Sequence, residues 1–136
     1  MPSLRTRLNI PMRMPITYTV DQQQNVVLVT WQGNVTGDEY RAHLRTMLQD
    51  PDALRAGKSL TDLTQANVLL SGAELNAIGN AEAAPRLAGR QWKTAVLVSS
   101  PLNFGLARQY EMLSESESTD CVFLDYAAAL AWLVKD

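Results

Sequence analysis

Few side chains in this chain of 136 residues have the types and spacing that catalysis or metal binding requires. His43 is the only histidine and Cys121 the only cysteine, so neither a multi-histidine metal site nor a cysteine cluster can form. Ser99 and Ser100 follow an apolar segment, but the Gly-x-Ser-x-Gly pattern of a nucleophilic serine is absent. We therefore predict no catalytic residue, no metal and no cofactor, and we expect a protein that is not an enzyme.

The single histidine and the single cysteine have structural interpretations. His43 lies between Tyr40 and Met47 at helical spacing, which favours a partly buried packing histidine over a general base. Cys121 opens a short apolar segment with no basic neighbour in sequence to activate it, so we interpret it as an inert core thiol. One cysteine allows no internal disulfide and indicates a reducing compartment, so we expect a cytoplasmic protein.

Two capping boxes predict where helices begin. Thr36 with Glu39, and Ser71 with Glu74, have the spacing in which a hydroxyl accepts from the third helical amide and a carboxylate accepts from the capping residue. Each box is flanked by two apolar residues spaced as a hydrophobic staple, Val35 with Tyr40 and Leu70 with Leu75. Helix starts are therefore predicted at Thr36 and Ser71.

The hydrophobic pattern alternates between strands and helices along the chain. Strands are predicted at 16–20, 26–31, 59–63, 94–98 and 122–124. Helices are predicted to begin after Thr36, Ser71, Ser100 and Asp125, and the second is expected to end before a loop containing Pro85. The first two strands form an antiparallel hairpin. The order ββαβαβαβα then implies an α/β fold with a mixed sheet of about five strands, right-handed crossovers and about four helices.

The charge and the hydrophobic runs of the chain predict a basic arm and exclude two classes of interaction. Residues 1–14 carry Arg5, Arg7 and Arg13 among prolines and no acidic residue, which predicts a flexible basic arm. The formal net charge is −2, so we do not expect nucleic acid as a partner, because its binders need a basic face. No apolar run approaches the roughly 20 residues of a transmembrane helix.

The order of the predicted elements resembles that of the STAS superfamily. Three segments carry the resemblance: Asp62–Thr64, Ser71–Gly72, and a closing stretch in which Val122–Asp125 is followed by Ala128–Leu133. More narrowly, the chain is similar to small bacterial STAS-like domains whose fold is related to the CRAL-TRIO lipid-binding domains. The resemblance covers residues 15–134 and implies that 15–136 form a single STAS-like α/β domain.

The resemblance implies one candidate regulatory residue. The best-known STAS proteins are anti-sigma-factor antagonists, which are switched by phosphorylation of a serine at the start of the second helix, and Ser71 matches that serine. Val68–Leu70 stand where those antagonists usually carry an aspartate and a small hydroxyl residue. The capping box with Glu74 also explains Ser71 without a switch, and a phosphate dianion beside Glu74 would break that box. We favour the capping role over the candidate phospho-switch.

A candidate surface for a ligand or partner lies where the parallel strands are predicted to end. Ligands of open sheets bind beyond the carboxyl ends of their strands. The polar and aromatic residues expected there are Thr64, Asn67, Ser99, Ser100, Asn103 and Phe104. Phe104 falls outside the helical stripe formed by Leu102 and Leu106, so it either packs on a second face or is exposed for a partner.

Two functional hypotheses remain open. The leading one is a non-enzymatic interaction domain that binds an unidentified protein through the second and third predicted helices. The alternative, implied by the CRAL-TRIO relationship, is an apolar ligand or lipid held in a cavity lined by Phe104, Leu106 and Tyr110. A homodimer is also plausible, because the strand containing Tyr18 could lie at a sheet edge and the basic arm could cross to a neighbour.

Overall fold

The computed structural model describes residues 14–113 and 119–135, and within them a five-stranded mixed sheet is packed against helices. The strands are β1 (Ile16–Asp21), β2 (Val26–Val35), β3 (Lys58–Val68), β4 (Lys93–Leu97) and β5 (Thr119–Phe123). The helices are α1 (Gly37–Met47), α2 (Pro51–Ala56), α3 (Gly72–Leu87), α4 (Pro101–Leu113) and α5 (Tyr126–Val134). The predicted basic arm lies outside the described residues, apart from Met14.

The strands lie side by side in chain order, from β1 at one edge to β5 at the other. β1 is antiparallel to β2, and each later strand is parallel to the one before it. The predicted hairpin and the predicted mixed α/β sheet are therefore confirmed. The strand containing Tyr18 is β1, an edge strand of this sheet.

The core divides into two clusters, one on each face of the sheet. Alternate side chains of a strand point to opposite faces, so neighbours such as Val26 and Val27 enter different clusters. The larger cluster joins β2 and β3 to α1, α2 and α3, and half-buried Leu106 of α4 packs against it. The smaller cluster joins β2, β3 and β4 to Ala129 and Leu133 of α5, which thus covers the opposite face.

Both predicted capping boxes are present. The Thr36 hydroxyl accepts from the Glu39 amide at 3.4 Å, while the Thr36 amide donates to the Glu39 carboxylate at 2.8 Å. The Ser71 hydroxyl accepts from the Glu74 amide at 3.1 Å, and the Ser71 amide donates to that carboxylate at 2.8 Å. Asp125 caps α5 without a capping box: its carboxylate accepts from the Ala128 amide at 2.9 Å. These helices begin where the sequence predicted.

A fifth helix, α2, was absent from the predicted order. Asp50 is its N-cap and accepts from the Asp52 amide at 3.0 Å, while Pro51 occupies the first helical position, where its missing N–H costs nothing. Gly57 ends the helix in the left-handed conformation with φ of 68°. The sequence thus contained both the residue that begins α2, Asp50, and the residue that ends it, Gly57, on either side of a helix of six residues.

The predicted end of the third strand at Leu63 is wrong, because β3 continues to Val68. The pairing register of β2 and β3 shifts between Thr30 and Gln32, which marks a bulge. At this bulge the Asp62 carboxylate accepts from the Thr64 amide at 2.8 Å and from the Thr64 hydroxyl at 2.7 Å. The bulge interrupts the alternation of side chains, so the strand looks shorter in sequence than it is.

The predicted loop at Pro85 is also wrong, because α3 extends through this residue to Leu87. Glu82 is buried in the last turns of α3, and its carboxylate binds Arg86 of the same helix at 2.9 Å. It also binds Arg45 of α1 at 3.0 Å and Arg41 at 3.6 Å. These ion pairs hold the last turns of α3 against α1 although the proline removes one helical hydrogen bond.

Candidate functional site

Two of the predicted surface residues lie within β3 rather than beyond its end. Thr64 is held in the bulge by Asp62. Asn67 is exposed and donates from Nδ2 to Asn34 Oδ1 of β2 at 2.9 Å, which forms a cross-strand pair. Their side chains therefore stabilise the extended pairing of β2 with β3.

The other predicted residues lie at the start of α4 and of α3. Asn103 is only 5% exposed, and its Nδ2 donates to the carbonyl oxygens of Leu63 at 3.1 Å and Ala66 at 3.2 Å. The Ser100 hydroxyl accepts from the Asn103 amide at 3.0 Å, which caps α4. Asn103 thus fixes α4 to β3 and its amide group is not free to contact a partner. Ser71, Ser99 and Phe104 are exposed.

Large apolar side chains are exposed where β3, β4 and β5 end. Leu69 follows β3 and is 53% exposed, Leu102 and Phe104 follow β4 and are 66% and 40% exposed, and Leu124 and Tyr126 follow β5 and are 70% and 47% exposed. Because these strands are parallel, their carboxyl ends face the same edge of the sheet, although β3 continues to Val68, beyond Asp62, the partner of Leu97 at the end of β4. We call these five residues the carboxyl-edge patch. Concentration of exposed apolar groups at one edge is typical of an interaction surface.

Acidic side chains stand beside the carboxyl-edge patch. The first turns of α1 and α3 and the cap of α5 supply four carboxylates at this edge, those of Asp38, Glu39, Glu74 and Asp125. An open groove of about 430 Å³ runs between the starts of α1 and α3, and Leu70 and Arg41 contribute to its walls. Arg41 is paired with Asp38 at 3.1 Å. This edge therefore combines apolar residues with a mainly acidic rim.

A half-open cavity of about 100 Å³ lies between the sheet and helices α1 and α3. Its walls include Trp31 of β2, Thr61 of β3 and Thr94 of β4, with His43 and Ala83 on the helices. The alternative hypothesis expected a cavity elsewhere, beneath α4. Phe104 and Leu106 do not line the cavity found here, and the side chain of Tyr110 lies outside the described residues.

The polar groups of the cavity differ in their hydrogen bonding. The indole nitrogen of Trp92 donates to the Ser59 hydroxyl at 3.1 Å, and both residues line the cavity. The indole nitrogen of Trp31 is buried and has no acceptor among the described residues. Thr61 and Thr94 are half-buried although they lie on interior strands, because the cavity leaves space beside them.

His43 is a neutral packing residue, as predicted. Its ring contacts that of Tyr18 edge-on, with 5.9 Å between centroids and an interplanar angle of 69°. Burial lowers the pKa of His43 from 6.5 to about 4, so the imidazole is uncharged at neutral pH. The Tyr18 hydroxyl donates to Asp50 Oδ2 at 2.8 Å, and burial together with this carboxylate raises the pKa of Tyr18 to about 12.

The described residues hold no site of two other kinds. No three or more histidine, cysteine, aspartate or glutamate side chains within 14–113 and 119–135 come together as metal ligands would. None of the helices described here has both the length and the apolar character needed to cross a bilayer.

Comparison with known proteins identifies the fold. No protein-family model and no curated protein matches the chain. A solved structure does: the crystal structure of an uncharacterized protein of the DUF3478 family from Shewanella loihica PV-4, which has a SpoIIAA-like fold. It matches with a TM-score of 0.60 and 16% identity over 96% of this chain and 99% of that one. This chain has a SpoIIAA-like fold. The predicted STAS resemblance is thus confirmed for the fold, since SpoIIAA-like and STAS-like describe the same architecture.

At 16% identity, this match shows the fold but identifies no functional residue. The candidate site is therefore argued from the residues of this chain. Sequence reasoning singled out Phe104 but missed Leu124 and Tyr126, which it placed in a strand and on a helix face. A signal was available only for Leu102, which follows the predicted helix cap Ser100; Leu124 had been placed inside the last predicted strand, and Leu69 lay between a predicted strand and the Ser71 cap. Sequence reasoning also missed the cavity, because the space between a sheet and its helices depends on how side chains of the two layers pack against each other.

Proposed function

We propose that this SpoIIAA-like chain is a non-enzymatic, cytoplasmic regulatory domain that acts by binding another protein through the carboxyl-edge patch. One observation carries the proposal. Five large apolar side chains are exposed beyond three adjacent strands, while the apolar residues inside the same strands are mostly buried. Burying such groups in an interface releases the water around them and supplies the main driving force for association.

The chemistry of the patch defines the partner that would fit it. Apolar side chains of the partner would cover Leu102 and Phe104, and basic side chains at the rim would face Glu74 and Asp125. Charge complementarity of this kind increases the rate of association and selects among partners, while the apolar centre supplies most of the affinity. The partner that fits this surface carries an apolar anchor within a basic surface.

Ser71 has a defined place in this proposal. It caps α3 two residues after Leu69 and is exposed. A phosphate on the Ser71 hydroxyl would repel the Glu74 carboxylate and break the capping box. It would also add negative charge beside the patch. The capping role is the primary one here, and phosphorylation would act by changing the charge that the partner meets.

The proposal is tested by affinity purification from the cells that make this protein. We expect a partner that is recovered with the unaltered chain and lost with the double variant Leu102→Ser, Phe104→Ser. The control is Val134→Ser, because Val134 is 41% exposed at the far end of α5, away from the patch. Both variants replace exposed groups, so neither should unfold the domain.

Two results would contradict the proposal. One is recovery of the same proteins with the patch variant and with the control, which would show that the patch is not the contact surface. The other is recovery of only a second copy of this chain, with light scattering showing a dimer that the patch variant dissociates. The patch would then be a surface for self-association and not for a regulatory partner.

A further inference from the structure

The basic arm of this chain has the composition expected of a ligand for the carboxyl-edge patch. Residues 1–14 carry three arginines and no acidic residue. A patch of apolar side chains with an acidic rim would bind an apolar anchor that is flanked by basic groups. The arm contains such anchors beside its arginines, namely Leu4, Leu8, Ile10 and Met12.

The arm also joins the sheet at the edge where the patch lies. β1 is antiparallel to the other strands, so its first residue, Ile16, lies at the edge toward which β4 and β5 run. Ile16 pairs with Trp31, the residue after Thr30. Thr30 belongs to the row of paired residues that includes Leu97 and Phe123, the last residues of β4 and β5. The start of β1 is therefore level, within one residue, with the ends of these two strands.

The arm is long enough to reach the patch. Neighbouring strands lie about 4.8 Å apart, so the ends of β4 and β5 are about 14 Å and 19 Å from β1 across the sheet. The 13 residues before Met14 span up to about 43 Å when extended. The arm needs this surplus because β2 and β3 continue to Val35 and Val68, and it must pass around their ends. The helices that follow these ends place Asp38 and Glu74 along the route.

The charges at this edge favour a basic occupant. Asp38, Glu74 and Asp125 are exposed, and within the described part of the chain the latter two carboxylates accept from backbone amides at helix starts. Arginines of the arm would add the counter-charge. Each exposed ion pair contributes little. The arm is tethered, however, so its effective concentration at the patch of its own chain is on the order of millimolar.

We propose that the basic arm binds the carboxyl-edge patch of its own chain and occupies it until a partner displaces it. Leu8 and Ile10 cover apolar side chains of the patch, and the arginines face the acidic rim. The arm is thus an internal competitor, because the affinity for a partner falls in proportion to the fraction of molecules whose patch is free.

This inference rests on the patch that the proposed function uses, but its test needs only the purified chain. An arm that does not contact the patch would leave protein binding through the patch unaffected. Failure to find a partner in cells would leave the contact of the arm measurable. The two failures are therefore distinguishable.

The test is photo-crosslinking within the purified full chain. A photoreactive amino acid replaces Asn9 of the arm and, in a separate protein, Gln23, which is exposed in the turn between β1 and β2 at the opposite edge of the sheet. Equal amounts of ¹⁴N- and ¹⁵N-labelled protein are mixed before irradiation, so mass spectrometry separates crosslinks within one copy from those between copies. We expect position 9 to crosslink within one copy to residues 101–104 or 124–126, and position 23 to crosslink to neither.

Charge reversal in the arm completes the test. The combined variant Arg5→Glu, Arg7→Glu, Arg13→Glu is repelled by the acidic rim and should lower the yield of the crosslink from position 9 about fivefold. The control is Arg55→Glu, because Arg55 is exposed on α2, which precedes β3 and lies toward the opposite edge. It should leave the yield unchanged.

Three results would overturn the proposal. One is that position 9 gives no crosslink to either patch segment. Another is that its crosslinks to the patch form between copies, which would make the arm a link between two chains. The third is a yield that charge reversal in the arm does not lower.

Discussion

At the scale of single residues, the environment of His43 decides its protonation. The ring is packed against Tyr18 and lines the cavity, and the cost of burying a charge keeps it neutral. A general base needs a pKa near the working pH and a substrate proton within reach. With a pKa of about 4, His43 is poorly suited to that role and well suited to an apolar cavity wall.

His43 should make the protein less stable in acid. Its pKa is 6.5 in the unfolded chain and about 4 in the folded one, so the unfolded state binds a proton that the folded state rejects. Its contribution is complete above pH 6.5 and is lost between that value and about pH 4. Urea unfolding at about pH 7.5 and about pH 4 should show that the unaltered chain loses about 3 kcal/mol more than His43→Phe. Equal losses in both proteins would disprove the neutral, buried histidine.

At the scale of helices, the capping box of α3 tests whether Ser71 is a structural residue. Ser71→Ala removes the acceptor of the Glu74 amide and should lower the free energy of unfolding by about 1 kcal/mol in a urea titration. Ser71→Asp keeps an acceptor at this position and should retain most of the stability. The control is Ser99→Ala, since Ser99 is exposed and caps no helix. An unchanged stability of Ser71→Ala would remove the capping role.

The contact between α1 and α3 depends on the buried carboxylate of Glu82. Hydrogen bonding to Arg45 and the charges of Arg86 and Arg41 lower the pKa of Glu82. Because the folded pKa is below the ordinary one, the stabilisation is present above the ordinary value of 4.5 and is lost as the pH falls below it. Glu82→Gln should therefore lower the Tm by several degrees at neutral pH, and the difference should shrink in acid.

The exposed ion pair within α2 is the control for Glu82. Arg55 and Asp52 lie 2.7 Å apart, but their side chains are 68% and 48% exposed. Exposed pairs contribute little to stability because water and salt screen them. Thermal unfolding of Asp52→Asn should thus give nearly the Tm of the unaltered chain. If Asp52→Asn and Glu82→Gln lowered the Tm equally, burial would not be the reason that Glu82 matters.

At the scale of the whole molecule, local signals in the sequence predicted most of the fold. Capping residues such as Thr36 and Ser71 act within one turn of helix, so their role can be read from spacing alone. The hairpin of β1 and β2 followed from two apolar segments around a polar turn. The full length of β3 could not be predicted, because the bulge at Thr64 and the pairing with β2 depend on a strand distant in sequence.

The candidate sites were less predictable than the fold. Phe104 was recognised because it lies outside a helical stripe, but the patch as a whole exists only because three parallel strands run toward the same edge of the sheet. The unpaired indole of Trp31 becomes visible only when every neighbour in space is known. The patch and the cavity both form from residues that are distant in sequence, so short sequence motifs could not predict either of them.

The central claim is that the carboxyl-edge patch contacts another protein, and site-specific photo-crosslinking in living cells tests it most directly. A photoreactive amino acid is placed at Leu102, inside the patch, and in a separate protein at Val134, outside it. We predict one adduct with a different protein from position 102 and no such adduct from position 134. The same adduct from both positions, or from position 102 only an adduct between two copies of this chain, would contradict the account.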